Sequence, residues 1–153
     1  KPNYKILDVG CGAGLMSIPL AKKGFKVTAV DTNAAMIKSG QEQARKESVQ
    51  INWLNDSLEN TGLAAEYDLI LCLEVLEHID DISHTISLLA QHLSPNKQAL
   101  IIISTIKRSV KSFLEAIVYA EYISGIIPKG THQHSHFINP DEIQHISDTI
   151  WCV

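Results

Sequence analysis

The stretch Gly10-Cys11-Gly12-Ala13-Gly14 places glycine at every other position, directly after the apolar run Ile6-Leu7-Asp8-Val9. Residues 15–23 then carry apolar side chains at helical spacing. A strand that enters a glycine turn and leaves as a helix offers backbone N–H groups to a ligand, and the missing Cβ atoms let that ligand lie on the backbone itself. The spacing narrows the ligand. A dinucleotide fingerprint counted from Gly10 requires its third glycine at position 15, which is Leu15, and Gly14-Leu15-Met16 lacks the lysine of a P-loop. An acid, Asp31, ends the second apolar run, 26–30. Together they suit a nucleoside-containing ligand whose ribose hydroxyls bond to Asp31, a charged hydrogen bond contributing roughly 1.5–3 kcal/mol.

Other reactive side chains fall after later apolar runs. Asp56 follows 51–54, and Glu74, Glu77 and His78 follow 67–72. His132, His134 and His136 alternate, so an extended segment would point them the same way, toward a base or metal role; a polar loop between two helices explains the same pattern. Cys11, Cys72 and Cys152 are odd in number and without C-x-x-C spacing, which implies neither a disulfide framework nor a cysteine zinc site. Cys11 and Cys72 read as small core residues in a reducing compartment.

The elements that must position these groups alternate. Strands are expected at 5–9, 26–30, 51–54, 67–72 and 99–103, and helices at 15–23, 33–46 with Ala34, Ile37 and Ala44 inward, and 82–93 with Asp80 and Asp81 as N-caps. Gly24 closes the first helix. Residues 57–66 are weakly patterned. Near-continuous apolar strands alternating with helices predict an α/β fold, a parallel sheet with helices on both faces and the first strand central. In such sheets ligands sit beyond the carboxyl ends of the strands, where Gly10, Asp31, Asp56 and 73–78 all fall.

With 153 residues, 45% of them hydrophobic, the chain can bury a full core. A net charge of -4 with scattered Lys and Arg argues against a nucleic-acid partner. No signal peptide or membrane-spanning run is visible, and a chain that opens almost on its first strand reads as a fragment. Residues 112–127 form a long, mostly apolar segment with Phe113, Tyr119 and Tyr122, expected as a helix that packs on the sheet or acts as a lid or membrane-facing element. Asn139-Pro140-Asp141-Glu142 reads as a cap opening a last short helix.

Leu7-Asp8-Val9-Gly10-Cys11-Gly12-Ala13-Gly14 resembles the first motif of the class I S-adenosylmethionine-dependent methyltransferases, and Val27-Thr28-Ala29-Val30-Asp31 resembles their ribose-holding segment. Glu74-Val75-Leu76-Glu77-His78 and Pro128-Lys129-Gly130-Thr131-His132 are similar to stretches of one subfamily, the ubiquinone-biosynthesis O-methyltransferases. The resemblance implies a Rossmann-like core over 1–105 and a helical, substrate- or membrane-facing region over 106–153. It implies S-adenosylmethionine contacts at Asp8, Gly10, Gly12, Gly14, Asp31, Asp56 and Leu73, and a divalent cation at Glu74, Glu77 and His78. It also implies an N-terminal helix and C-terminal strands that this chain lacks.

The implied reaction is methylation of a phenol or catechol hydroxyl on a polyprenylated ubiquinone precursor. The protein would be cytoplasmic or on the mitochondrial matrix side, peripherally membrane-associated through 112–127, and associated with other enzymes of the pathway. Methyl transfer from a sulfonium requires alignment more than acid catalysis. A phenol, with a pKa of about 10, requires a base or cation. If 74–78 is helical, Glu74, Glu77 and His78 share a face, and such ligands suit magnesium, manganese or zinc; the same acids also read as solvated residues at a helix start. His132 is the candidate base. The alternatives are a non-catalytic cofactor-binding or membrane-docking module, and a small-molecule methyltransferase with an N or C acceptor.

Overall fold

A computed structural model describes residues 3–95 and 98–104. The chain divides into two compact units, residues 1–73 with 87–103 and residues 74–86 with 104–153. The expected helices at 112–127 and from 140, and the expected region 106–153, lie outside the described residues.

The strands are β1 (Lys5–Val9), β2 (Lys26–Val30), β3 (Asn52–Leu54), β4 (Leu69–Leu73) and β5 (Leu100–Ser104). They form one sheet in the order β3-β2-β1-β4-β5. β1 is central, as expected from right-handed crossovers, and its ladders to β2 and β4 are parallel, as is the ladder from β2 to β3. β5 lies outside β4, where the Leu100 N–H donates to Asp68 O at 3.0 Å. The helices are α1 (Ser17–Lys22), α2 (Ala34–Lys46) and α3 (Ile82–Gln91).

The period of two along each strand divides the side chains between the faces. Ile6, Val27 and Leu71 form a buried cluster on one face, against which Leu20 and Ala21 of α1 pack. Two residues further along β2, Ala29 joins Cys11 and Ile37 of α2 in a second cluster, with Ile51 and Trp53 against it. On the opposite face, Leu7 and Ile70 are paired in register and wholly buried.

The element ends show which local signals operate. Asn33 caps α2 by accepting from the Ala35 and Met36 N–H groups, and Asp81 alone caps α3, through the His84 N–H at 2.9 Å. The inward positions of α2 are Ile37, Gly40 and Ala44, while Ala34 is exposed in the first turn. α1 is shorter than its apolar spacing predicts, because residues 15 and 16 belong to the turn. Between β3 and β4 the chain makes only a single 3-10 turn, Leu58–Asn60.

Leu7 occupies the middle of the central strand with no exposed surface. Leu7→Ala should therefore cost about 2–5 kcal/mol of folding stability; denaturant unfolding of the two proteins checks this, and a loss under about 1 kcal/mol would show that the site collapses around the smaller side chain.

Candidate functional site

At the carboxyl end of β1 the chain turns through Gly10, Gly12 and Gly14, with φ of 69, 54 and 81°. These are left-handed conformations that glycine adopts without penalty. Three bonds tie the turn to the end of β2. Val30 O accepts from both the Gly10 N–H (2.8 Å) and the Cys11 N–H (3.1 Å), and Asp31 Oδ2 accepts from the Gly12 N–H at 2.7 Å. The Gly14 N–H closes the turn onto Cys11 O at 2.9 Å.

The turn was expected to offer its amides to a ligand, and the geometry corrects this. The N–H groups of Gly10, Cys11, Gly12 and Gly14 all donate within the protein. What the turn offers is bare Cα surface: a Cβ built on Gly12 would meet nothing within 4 Å. Gly14 differs, since a Cβ there would lie 2.5 Å from the indole of Trp53.

Asp31 connects several elements. Its Oδ1 accepts from the Asn33 N–H (2.8 Å) at the start of α2, its own N–H donates to Leu54 O (3.1 Å), and its carbonyl accepts from Asn55 Nδ2 (2.9 Å). A carboxylate has about four acceptor positions, so two remain for a ligand. Asp56 is exposed beyond β3, and its Oδ1 accepts from the Ser57 N–H and from Asn60 Nδ2, which shapes the 3-10 turn. Leu73 is half-buried at the end of β4, next to β1.

Asp8 lies below this surface. It is 3% exposed and accepts from Ser17 Oγ at 2.6 Å, so it supports the junction of turn and α1. Burial pushes its carboxyl above the ordinary 3.8, partly opposed by the Ser17 hydrogen bonds. Cys11 is buried, and burial, with the charges of Asp8 and Asp31, pushes its thiol up to about 12. It remains a protonated core residue at neutral pH and offers no thiolate for nucleophilic chemistry.

The second unit contains the acidic segment. A helical 74–78 was the condition for placing Glu74, Glu77 and His78 on one face, and that condition is not met. Glu74 has φ of 55° and precedes a 3-10 turn, Leu76–His78. Glu74 and His78 are exposed, whereas Glu77 is 4% exposed. Glu74 Oε1 accepts from Ser104 Oγ at 2.7 Å. Among the described residues no three His, Cys, Asp or Glu side chains are grouped to hold a metal ion. The three proposed ligands therefore do not fit a cation in this arrangement. His132, His134 and His136 lie outside the described residues.

A cavity of about 750 Å³ is lined by Lys5, Lys26 and Asn52, the first residues of β1, β2 and β3, and also by Ala44 of α2 and Trp53. The glycine turn, Asp31 and Asp56 do not line it, whereas ligands in this topology sit beyond the carboxyl ends of the strands. Two residues close against the turn, Trp53 and Gly40, were not anticipated from the sequence. An isolated glycine within the periodic pattern of α2 was the available signal.

The chain belongs to the methyltransferase-domain family, whose model matches residues 1–149. It is 44% identical over 142 residues to the ubiquinone biosynthesis O-methyltransferase of Rickettsia typhi, covering 93% of this chain and 57% of that protein. It is also 44% identical to the enzyme of the same name from Rickettsia prowazekii, covering 95% of this chain and 60% of the relative. The chain thus spans less than two thirds of the length of these relatives. Magnesium protoporphyrin IX methyltransferase from Synechocystis PCC 6803, solved with bound SAH, superposes with a TM-score of 0.74 at 26% identity, covering 97% of this chain and 64% of that one. The plantazolicin methyltransferase BpumL shares the fold, with a TM-score of 0.77 at 22% identity, covering 96% and 55%.

The buried charge of Asp8 has a testable consequence. Because its folded-state pKa is raised, ionising it costs stability, and that cost is absent below the ordinary carboxylate value and grows as pH rises through the raised one. Asp8→Asn retains an oxygen for Ser17 and removes the charge. Its unfolding free energy relative to wild type should increase between acid and neutral pH; a difference that shrinks with rising pH would contradict this.

Proposed function

We propose that the protein is an S-adenosylmethionine-dependent O-methyltransferase that acts on a phenol or catechol hydroxyl of a polyprenylated ubiquinone precursor. The observation that carries the cofactor reading is the open, left-handed Gly12 next to an Asp31 carboxylate with free acceptor positions. The 44% identity to ubiquinone-biosynthesis O-methyltransferases supports the acceptor.

S-adenosylmethionine, when bound, supplies a methyl group on a sulfonium whose leaving group departs neutral. The chain's own residues then bind and align. Asp31 accepts hydrogen bonds from the ribose hydroxyls, bare Gly10 and Gly12 let the ligand lie against the backbone, and Gly14 and Asp8 act through the shape of the turn. Asp56 and Leu73 border the adenine and the end of β4. A phenol near pKa 10 requires a base, and His132 is the proposed one.

A divalent cation at Glu74, Glu77 and His78 rests on the resemblance of that segment alone. Residues 112–127 suit an isoprenoid tail or a membrane surface by composition. No helix among the described residues is long and apolar enough to cross a membrane. Peripheral membrane contact and association with other enzymes of the pathway belong to the same reading.

Full-length protein should bind S-adenosylhomocysteine, and Asp31→Ala should weaken binding about 10- to 100-fold, the equivalent of one charged hydrogen bond. Calorimetry decides, and unchanged affinity sinks the cofactor reading. Removing divalent cations with EDTA should leave that affinity unaltered, because the proposed cofactor contacts include no cation ligand. Binding that collapses on chelation and returns with magnesium would show that the cation belongs to the cofactor site.

A further inference from the structure

Trp53 stands on β3 in register with Ala29 of β2, half-buried against the cluster that contains Cys11 and Ile37. The edge of its six-membered ring fills space that two other side chains would require. A Cβ built on Gly14 would lie 2.5 Å from Trp53 Cη2. One built on Gly40 would lie 2.5 Å from the same atom, 2.7 Å from Cζ3 and 3.0 Å from the carbonyl oxygen of Ala13. The indole is thus wedged between a glycine of the turn and a glycine of α2.

The two glycines have different causes. Gly14 has φ of 81°, so its backbone alone favours glycine. Gly40 is within the 13-residue α2, where glycine is disfavoured against alanine, and its backbone does not require it. The indole edge and the Ala13 carbonyl do. The Ala13 carbonyl is backbone and yields least, whereas the half-buried ring borders the cavity and can give only by leaving its place between the two glycines.

We propose that Trp53 is a positioning residue for the cofactor site: its ring sets the spacing between the glycine turn and α2, and so holds the open face of Gly12 in place. This rests on the cofactor reading given above. Trp53 does not touch the ligand. It acts through Ala13 and Gly14, while the Asp31 carboxylate holds Gly12.

The experiment is a double-mutant cycle in the full-length protein, with S-adenosylhomocysteine affinity measured by calorimetry. Gly40→Ala should weaken binding about tenfold or more, since the added methyl must push either the ring or the Ala13 carbonyl. Trp53→Phe, whose shorter ring withdraws from both glycines, should weaken it only a few-fold, and Gly40→Ala combined with Trp53→Phe should return to the level of Trp53→Phe alone. A purely structural role would lower the melting temperature of the variants and leave affinity at the wild-type value, which would overturn the proposal. A double variant as weak as Gly40→Ala would overturn it as well. If Gly40→Ala does not fold, tryptophan emission keeps the test open. Saturating S-adenosylhomocysteine should change the emission of wild type, and that change should be missing from Trp53→Phe; an identical response in both proteins counts against the proposal. Wild type that binds no S-adenosylhomocysteine instead refutes the cofactor reading itself.

Discussion

The 2.7 Å bond from the Gly12 amide to the Asp31 carboxylate is the constraint on which the candidate site depends. The chain leaving β1 must reverse direction above the sheet within a few residues, and a short turn of left-handed glycines has little stiffness of its own. Asp31 supplies it. One oxygen holds Gly12 and the other holds Asn33 at the head of α2, while the backbone of the same residue is bonded to Leu54 and Asn55 at the end of β3. Hydrogen bonds from N–H groups to a carboxylate are about twice as strong as neutral ones. A single residue, through side chain and backbone together, thereby registers the ends of three strands and the start of a helix against one another.

Much of this was legible because the signals are local. The runs 5–9 and 26–30 are apolar, bounded by polar or glycine residues, and coincide with β1 and β2. Parallel pairing with β1 central followed from the alternation of strands and helices, since crossovers of one hand admit few arrangements. Asp31 was visible as the acid after an apolar run. Trp53 and Gly40 were not, because their meaning is a contact between residues 13 positions apart in sequence and with a turn some 26 to 40 positions away; neither propensity nor period encodes it. The inward face of α2 shifted for the same reason: Gly40 is buried by the ring it admits, while Ala34 sits in a first turn that faces solvent.

The segment 74–78 shows the limit of spacing as an argument. Positions i, i+3 and i+4 come together on one face when the segment is α-helical. Here Glu74 takes a left-handed conformation, uncommon for a residue with a Cβ, and the next turn is 3-10, with three residues per turn. Glu77 is then buried while Glu74 and His78 are exposed. A non-glycine residue at φ of 55° is held by its surroundings, and two bonds to Ser104 do this, one from the Glu74 N–H to Ser104 O at 3.0 Å and one from Ser104 Oγ to the Glu74 carboxylate.

The internal use of the turn's amides also bears on which ligands it can hold. Phosphate sites at glycine turns work because several unpaired N–H groups point outward and share negative charge. In this turn the N–H groups of Gly10, Cys11, Gly12 and Gly14 point inward, to Val30, Asp31 and Cys11. Two carboxylates, Asp8 and Asp31, lie beneath and beside the turn, and no lysine follows Gly14. An anion brought to that surface would meet Cα–H groups and negative charge, whereas a sulfonium or a neutral ribose would meet an attractive field and acceptors for its hydroxyls. The order of glycines and the direction of their hydrogen bonds therefore lead to the same discrimination from independent grounds. The first removes the dinucleotide and P-loop spacings, and the second turns four of the turn's amides away from such a ligand.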